Sequence, residues 1–194
     1  MVRAKAVYPN GSGKSSLYGN TDIEAFDQSV WIINPDLLTK RIQDVEGLAL
    51  GEANIQAVTR IEVWLDASIS AHQTVGVETV LSTAKYRRLV TAAKQRQFQF
   101  RLLYVMLSTP EMNIQRVRLR VIKGGHAVPE DKIRERWHKS LEQLPWFLNE
   151  ADQAAIYDNS GSVPRLIGQK SNGVTMLDPS APRPLQAVFH ILIP

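Results

Sequence analysis

The run Pro9-Asn10-Gly11-Ser12-Gly13-Lys14-Ser15-Ser16 has the residue types and the spacing needed to hold a chain of phosphates. Gly11 and Gly13 let successive backbone N–H groups turn inward around a β-phosphate, and the Lys14 ammonium can reach the β and γ oxygens. Ser15 follows the lysine, where a hydroxyl can ligate Mg²⁺, while Asn10, Ser12 and Ser16 complete the cradle. This is a Walker A arrangement, and the ligands it implies are ATP and Mg²⁺. The alternative is a Gly/Ser turn that happens to contain a lysine. The order of strand, loop and possible helix within the first twenty residues favours the phosphate loop. One position departs from the pattern: six residues before Lys14, where the consensus has glycine, stands Tyr8. Its Cβ and ring sit where the backbone usually turns tightly, which implies weakened nucleotide affinity or a displaced loop.

A second centre of chemistry is Asp36, in Asn34-Pro35-Asp36. A carboxylate just beyond a strand lies at the edge where open α/β sheets bind ligands. There it can take the proton of an attacking hydroxyl and orient it toward a γ-phosphate. Alternatively, Asp36 supports the first turn of a helix opened by Pro35, where negative charge is favoured.

These residues need a framework, and short β-type runs alternating with helical patterns supply one. Expected strands are Val2 to Val7, Val30 to Ile33, Val75 to Glu78, Phe98 to Leu107 and Ala155 to Asp158. Between them, Pro35 to Val45, Ala53 to Ser70, Thr83 to Gln97 and Pro110 to Lys123 carry apolar residues at helical spacing. Gly124-Gly125 stops the last of these. A further helix starts at Val128-Pro129-Glu130-Asp131 and runs toward Leu148, with Pro145 expected to kink or break it. Arg165 to Gln169 and Val174 to Leu177 flank Ser171-Asn172-Gly173 as a β-hairpin. The rhythm predicts an α/β fold with a mostly parallel sheet and a C-terminal β-hairpin. Residues 1–178 form one domain in this reading and 179–194 a C-terminal tail without an assigned role.

With 194 residues, 44% hydrophobic and 22% charged, the chain suits one compact domain. It has no cysteine, so disulfides, thiolate metal sites and cysteine nucleophiles are excluded. No apolar run approaches transmembrane length or a signal-peptide core, which predicts a cytoplasmic protein without a membrane partner. The 23 basic against 19 acidic residues are a mild excess that points to phosphate ligands before nucleic acid. His72, His138 and His190 lack metal-ligand spacing. Trp31, Trp64, Trp137 and Trp146 read as core or interface anchors.

Taken together with the phosphate loop, Asn34-Pro35-Asp36, Val77-Glu78-Thr79-Val80-Leu81-Ser82 and Gly124-Gly125-His126-Ala127-Val128-Pro129 resemble the zeta-toxin-like P-loop kinases over about Ala6 to Asn159. The resemblance implies a P-loop NTPase-like fold and transfer of the γ-phosphate of ATP to a hydroxyl of a small substrate. For the characterised toxins that substrate is a UDP-activated amino sugar, and an antitoxin protein is the partner. Asp36 matches the family's acidic residue. By the same resemblance Glu78 and Thr79 contact the acceptor; the alternative is that they form an ordinary strand-to-helix cap. Residues 110–140 would form a lid whose Arg120 and Arg136 neutralise charge on the transferred phosphoryl group. Arg116, Arg120 and Lys123 share one helical face, which on its own reads as solvated basic surface. His126 would be a phosphate contact, and by itself reads as a turn histidine. Two other function classes compete: a nucleotide-binding regulator that has lost turnover through Tyr8, and a basic nucleic-acid-binding module, disfavoured because no recognition signature is visible.

Overall fold

The computed structural model describes residues 3–4, 31–125 and 127–192. The phosphate loop, with Tyr8, and His126 lie outside the described residues. Strands β1 (Arg3–Ala4), β4 (Gln99–Met106), β5 (Gln153–Asp158), β6 (Arg165–Ser171) and β7 (Val174–Leu177) pair in the order β1-β4-β5-β6-β7. The pairings β1 with β4 and β4 with β5 are parallel, and those along β5-β6-β7 are antiparallel. Strand β2 (Trp31–Ile33) pairs in parallel with β3 (Val75–Val77), and β3 lies beside β1. Among the described residues the parallel pairs are β2 with β3, β1 with β4 and β4 with β5, and β3 stands next to β1. That is the mostly parallel α/β architecture read from the sequence.

Helix α1 (Pro35–Glu46) starts where expected because Asn34 caps it and Pro35 occupies its first turn, and it stops at Gly47 in the left-handed region at φ 69°. Helix α2 (Leu50–Ser70) buries Ala53, Ala57, Ile61, Leu65 and Ile69, one residue per turn. Ala53 and Ala57 are small enough for α1 to approach closely through Ile42. The α1–α2 pair is also tied by Thr39 Oγ1, which donates to Asn54 Oδ1 at 3.1 Å.

Two expectations need correction. The helix expected from Thr83 begins only at Arg87 and ends at Gln95 (α3), because a turn first carries Tyr86 into the core. That turn follows Leu81, a residue only 1% exposed that adopts φ 56°. Burial of its side chain holds a conformation that local preference disfavours. Pro145 does not break helix α5 (Glu130–Glu150), which is continuous through it. Leu144, Phe147 and Leu148 around the proline are all buried, and their burial offsets the roughly 3 kcal/mol cost of an interior proline.

Helix α4 (Pro110–Ile122) is capped by Thr109 Oγ1, which accepts from the Met112 N–H at 3.4 Å. The β6–β7 hairpin turns through Asn172 (φ 51°) and Gly173 (φ 77°), the pair of positive φ values a two-residue turn of this type requires. Residues 183–192 of the segment read as a tail form helix α6 (Arg183–Leu192), and Leu185, Val188 and Phe189 enter the main core with Trp137, Leu144 and Phe147. Strand β4 runs through that core, buried from Phe100 to Met106.

Candidate functional site

The carboxyl ends of β2 and β3 sit side by side. Ile33 pairs with Val77, and beyond them the Glu78 N–H donates to the Ile33 carbonyl at 2.9 Å. Asn34 and Glu78 therefore meet: Asn34 Nδ2 donates to Glu78 Oε2 at 3.0 Å. Glu78 is buried at 7% exposure, although a carboxylate is seldom buried without such partners. Two residues after Asn34, Asp36 stands exposed in the first turn of α1. Its N–H donates to Asn34 Oδ1 at 2.9 Å, and the Leu37 N–H donates to the same oxygen at 3.3 Å. The helix start thus takes its cap from Asn34, and the Asp36 carboxylate is not the capping group. Asp36 and Glu78 are brought to one sheet edge.

Thr79 has a turn role. Its Oγ1 accepts from the Leu81 N–H at 3.3 Å, which shapes the turn that carries Leu81 into the core. Glu78 and Thr79 are thereby held between a paired strand on one side and a buried leucine on the other.

The other side of the edge is built by β4, β5 and the helices after them. The Trp137 indole N–H donates to the Leu107 carbonyl at 3.1 Å just past β4, which fixes the level of the neighbouring, half-buried Arg136 along α5. Helices α4 and α5 close on a small cluster of Ile114, Val117 and Ile133. Exposed ion pairs also cross between them, Arg118 with Glu130 and Arg134 with Glu111, each worth little on its own. Arg120 is exposed at the end of α4, and its carbonyl accepts from the Lys123 and Gly125 N–H groups at 3.1 and 2.9 Å. Gly124 takes φ 82°, and a Cβ on Gly125 would stand 2.6 Å from Arg120 Cγ and 2.9 Å from Arg120 O. Both glycines are therefore required, one for its backbone angle and the other for the closeness of Arg120. Of the basic face 116/120/123, Arg116 turns toward the sheet, and its guanidinium donates to the Asn159 carbonyl at 2.5 Å. Val117 is buried, whereas Val121, one turn further along the helix, is exposed.

A hydroxyl–carboxylate corner at the ends of β4 and β5 was not singled out from the sequence. Ser160 Oγ donates to Asp158 Oδ1 at 2.5 Å, Ser108 Oγ and Ser160 Oγ are 2.8 Å apart, and the Ser108 N–H donates to Ser160 Oγ at 2.8 Å. The Asn159 N–H donates to the Met106 carbonyl at 2.9 Å. Ser160 meets Ser108 across 52 residues of chain, so this corner has no local signature. The signal available was the position of Asp158 at the carboxyl end of a strand.

Trp137 is a core anchor, and Trp64 and Trp146 pack against the core, with the Arg87 guanidinium 5.0 Å from the Trp146 ring centroid. Among the described residues, no three His, Asp or Glu side chains gather as a metal site, and no helix is long and apolar enough to cross a membrane.

Carboxylates thus stand at the ends of β2 and β3, with β3 beside β1, while α4 and α5 carry Arg120 and Arg136. By their chemistry a carboxylate suits a hydroxyl proton, and guanidinium groups suit phosphate.

No family model matches the chain. An uncharacterized protein of Haemophilus influenzae strain Rd is 27% identical over 142 residues, covering 71% of this chain and 95% of that protein. Among solved structures, the crystal structure of AvrRxo1-ORF1:-ORF2 with ATP superposes with a TM-score of 0.71 at 12% identity. The match covers 98% of this chain and 63% of that one, so this chain spans less than two thirds of that neighbour. The PezAT chromosomal toxin–antitoxin system of Streptococcus pneumoniae gives a TM-score of 0.63 at 18% identity, covering 97% of this chain and 78% of that one. At such identities the likeness is one of fold, and the fold is the α/β, P-loop NTPase-like architecture that the zeta-toxin-like resemblance implies.

Proposed function

We propose that the chain is an ATP-dependent phosphotransferase that moves the γ-phosphate of ATP to a hydroxyl of a small substrate. The observation that carries this reading is the meeting of Asn34 and Glu78 at the ends of adjacent parallel strands, which sets Asp36, two residues after Asn34, at the same edge, beside the strand that precedes the phosphate-loop sequence. ATP with Mg²⁺ supplies the phosphoryl group and a charge to balance it. In this reading Lys14 and the N–H groups of residues 10–16 hold the phosphates, with Ser15 as the metal-binding hydroxyl. Asp36 takes the acceptor's proton, Glu78 and Thr79 orient the acceptor, and Arg120 and Arg136 meet the charge that develops on the transferred group. His126 adds a phosphate contact. A solved neighbour that holds ATP supports nucleotide use, and another from a toxin–antitoxin system supports a neutralising protein partner. A UDP-activated amino sugar is the acceptor class to try first, and the cytoplasm is the compartment where ATP and such acceptors meet.

The test is incubation of the purified protein with ATP, Mg²⁺ and a panel of UDP-sugars and nucleosides, with products read by mass spectrometry. A phosphorylated acceptor that disappears with Lys14→Ala is the expected result. Tight ATP binding without any phosphorylated product would favour the second reading, a nucleotide-binding regulator, for which Tyr8 in place of the first loop glycine is the specific observation.

A further inference from the structure

We infer that Asn34 is a positioning residue that locks Asp36 and Glu78 into one acceptor-binding unit. The inference rests on the phosphotransferase reading and adds to it a residue whose part there is distinct from capping. The Asn34 side chain has two ends with two tasks. Its Oδ1 accepts from the Asp36 and Leu37 N–H groups, at 2.9 and 3.3 Å, and so fixes the turn that carries Asp36. Its Nδ2 donates to Glu78 Oε2 at 3.0 Å. The orientation is determined by chemistry, because a flipped amide would set Oδ1 against a carboxylate oxygen and the NH₂ group against two N–H donors.

Capping alone does not account for this geometry. Serine, aspartate and asparagine cap helices about equally well, but only an amide of this length also donates to a carboxylate across the strand pair. The partner is 44 residues away in the chain, so the bond ties the end of β2 to the end of β3. Buried Glu78 is thereby referenced to the exposed turn of Asp36, and an acceptor held by one is delivered to the other. Misplacement of reacting groups by about 1 Å can cost about 10²-fold in rate.

The test compares the parent with Asn34→Ser, Asn34→Asp and Asp36→Asn in three readouts: ATP affinity, melting temperature, and phosphate release from MgATP with water in the acceptor's place. Asn34→Ser keeps the cap and loses the reach to Glu78. It should bind ATP as the parent does and stay folded, with a modestly lower melting temperature because buried Glu78 loses a donor, yet release phosphate about ten- to a hundredfold more slowly, with kcat reduced rather than KM raised. Asn34→Asp sets a carboxylate against Glu78 and should lower the melting temperature. Adding Glu78→Gln restores an amide–carboxylate bond of reversed polarity and should raise the melting temperature again. Parental rates in Asn34→Ser, with Asp36→Asn slow, would overturn the role of Asn34 and leave the base intact. Parental rates in Asp36→Asn would overturn the base and with it this inference. A parent that neither releases phosphate nor phosphorylates any UDP-sugar or nucleoside would overturn both.

Discussion

At the scale of single residues, the structure divides roles that the sequence presents together. Asn34-Pro35-Asp36 reads as a helix start in which Asp36 is either the base or the support of the first turn. Asn34 supplies the cap, and Asp36 is left exposed at the carboxyl end of β2. The phosphate-loop expectation rests on residue types and spacing alone. The Asn34–Glu78 bond is not legible in that way, because it joins residues whose neighbourhood is decided by strand pairing. The lid arginines lead to a prediction at this scale. Arg120→Ala and Arg136→Ala should lower turnover more than they weaken ATP binding, since their contacts would strengthen as charge spreads over the transferred group. Equal losses in kinetics and in titration calorimetry would make them ground-state binders. Gly125→Ala should act in the same direction as Arg120→Ala, because its methyl would collide with the root of the Arg120 side chain and the Arg120 carbonyl. A parental rate in Gly125→Ala would show that the glycine turn does not aim Arg120.

At the scale of elements, the segments with local punctuation were the legible ones. Helix α1 has an asparagine cap, a first-turn proline and a terminal glycine; α4 has a threonine cap and a proline; the β6–β7 hairpin has Asn-Gly at its turn. Local signals misplaced the start of α3 and the effect of Pro145, since in both places core burial overrides backbone preference. Leu81 gives a direct test of that balance. Leu81→Ala removes a buried side chain, which typically costs about 2–5 kcal/mol. Glycine loses the same packing but relieves the left-handed backbone at φ 56°. Chemical denaturation should therefore find Leu81→Gly at least as stable as Leu81→Ala, the reverse of the usual order. If glycine is the worse of the two by the usual margin of about 1 kcal/mol, the turn after β3 is not strained.

At the scale of the whole molecule, alternating strands and helices made the parallel sheet legible, while its order was not written locally. The placing of β1 between β3 and β4 follows from pairing across about a hundred residues. Residues 183–192 likewise gave no periodic signal that revealed their partner. The apolar face of α6 becomes intelligible only against Trp137, Leu144 and Phe147. This single large core has a consequence in alkaline solution. Burial, with a smaller contribution from Glu62, pushes the Tyr86 phenol up from 10.0 to about 12. The folded state thus holds this proton more tightly than the unfolded chain. The associated stability is fully present below pH 10 and is lost as the pH rises through about 12. Buried Tyr104, which shares a hydrogen bond with Ser140, is shifted in the same direction. Between these pH values Tyr86→Phe should lose less stability than the parent in denaturant titrations. Identical slopes of stability against pH would show that Tyr86 does not titrate as a core residue.

The claim that joins these scales is that the edge formed by β2 and β3 prepares an acceptor hydroxyl for phosphoryl transfer. Asp36→Asn removes the negative charge at that edge while leaving the side chain's size, the Asn34 cap and the core unchanged. A general base contributes about 10²- to 10⁴-fold in rate. The most direct measurement is single-turnover transfer of the γ-phosphate of ATP to the acceptor by the parent and by Asp36→Asn, with ATP affinity and melting temperature recorded on the same preparations. The account predicts parental folding, ATP binding at least as tight as the parent's, and transfer slower by at least about a hundredfold. Transfer at the parental rate by a folded, ATP-bound Asp36→Asn protein would contradict it.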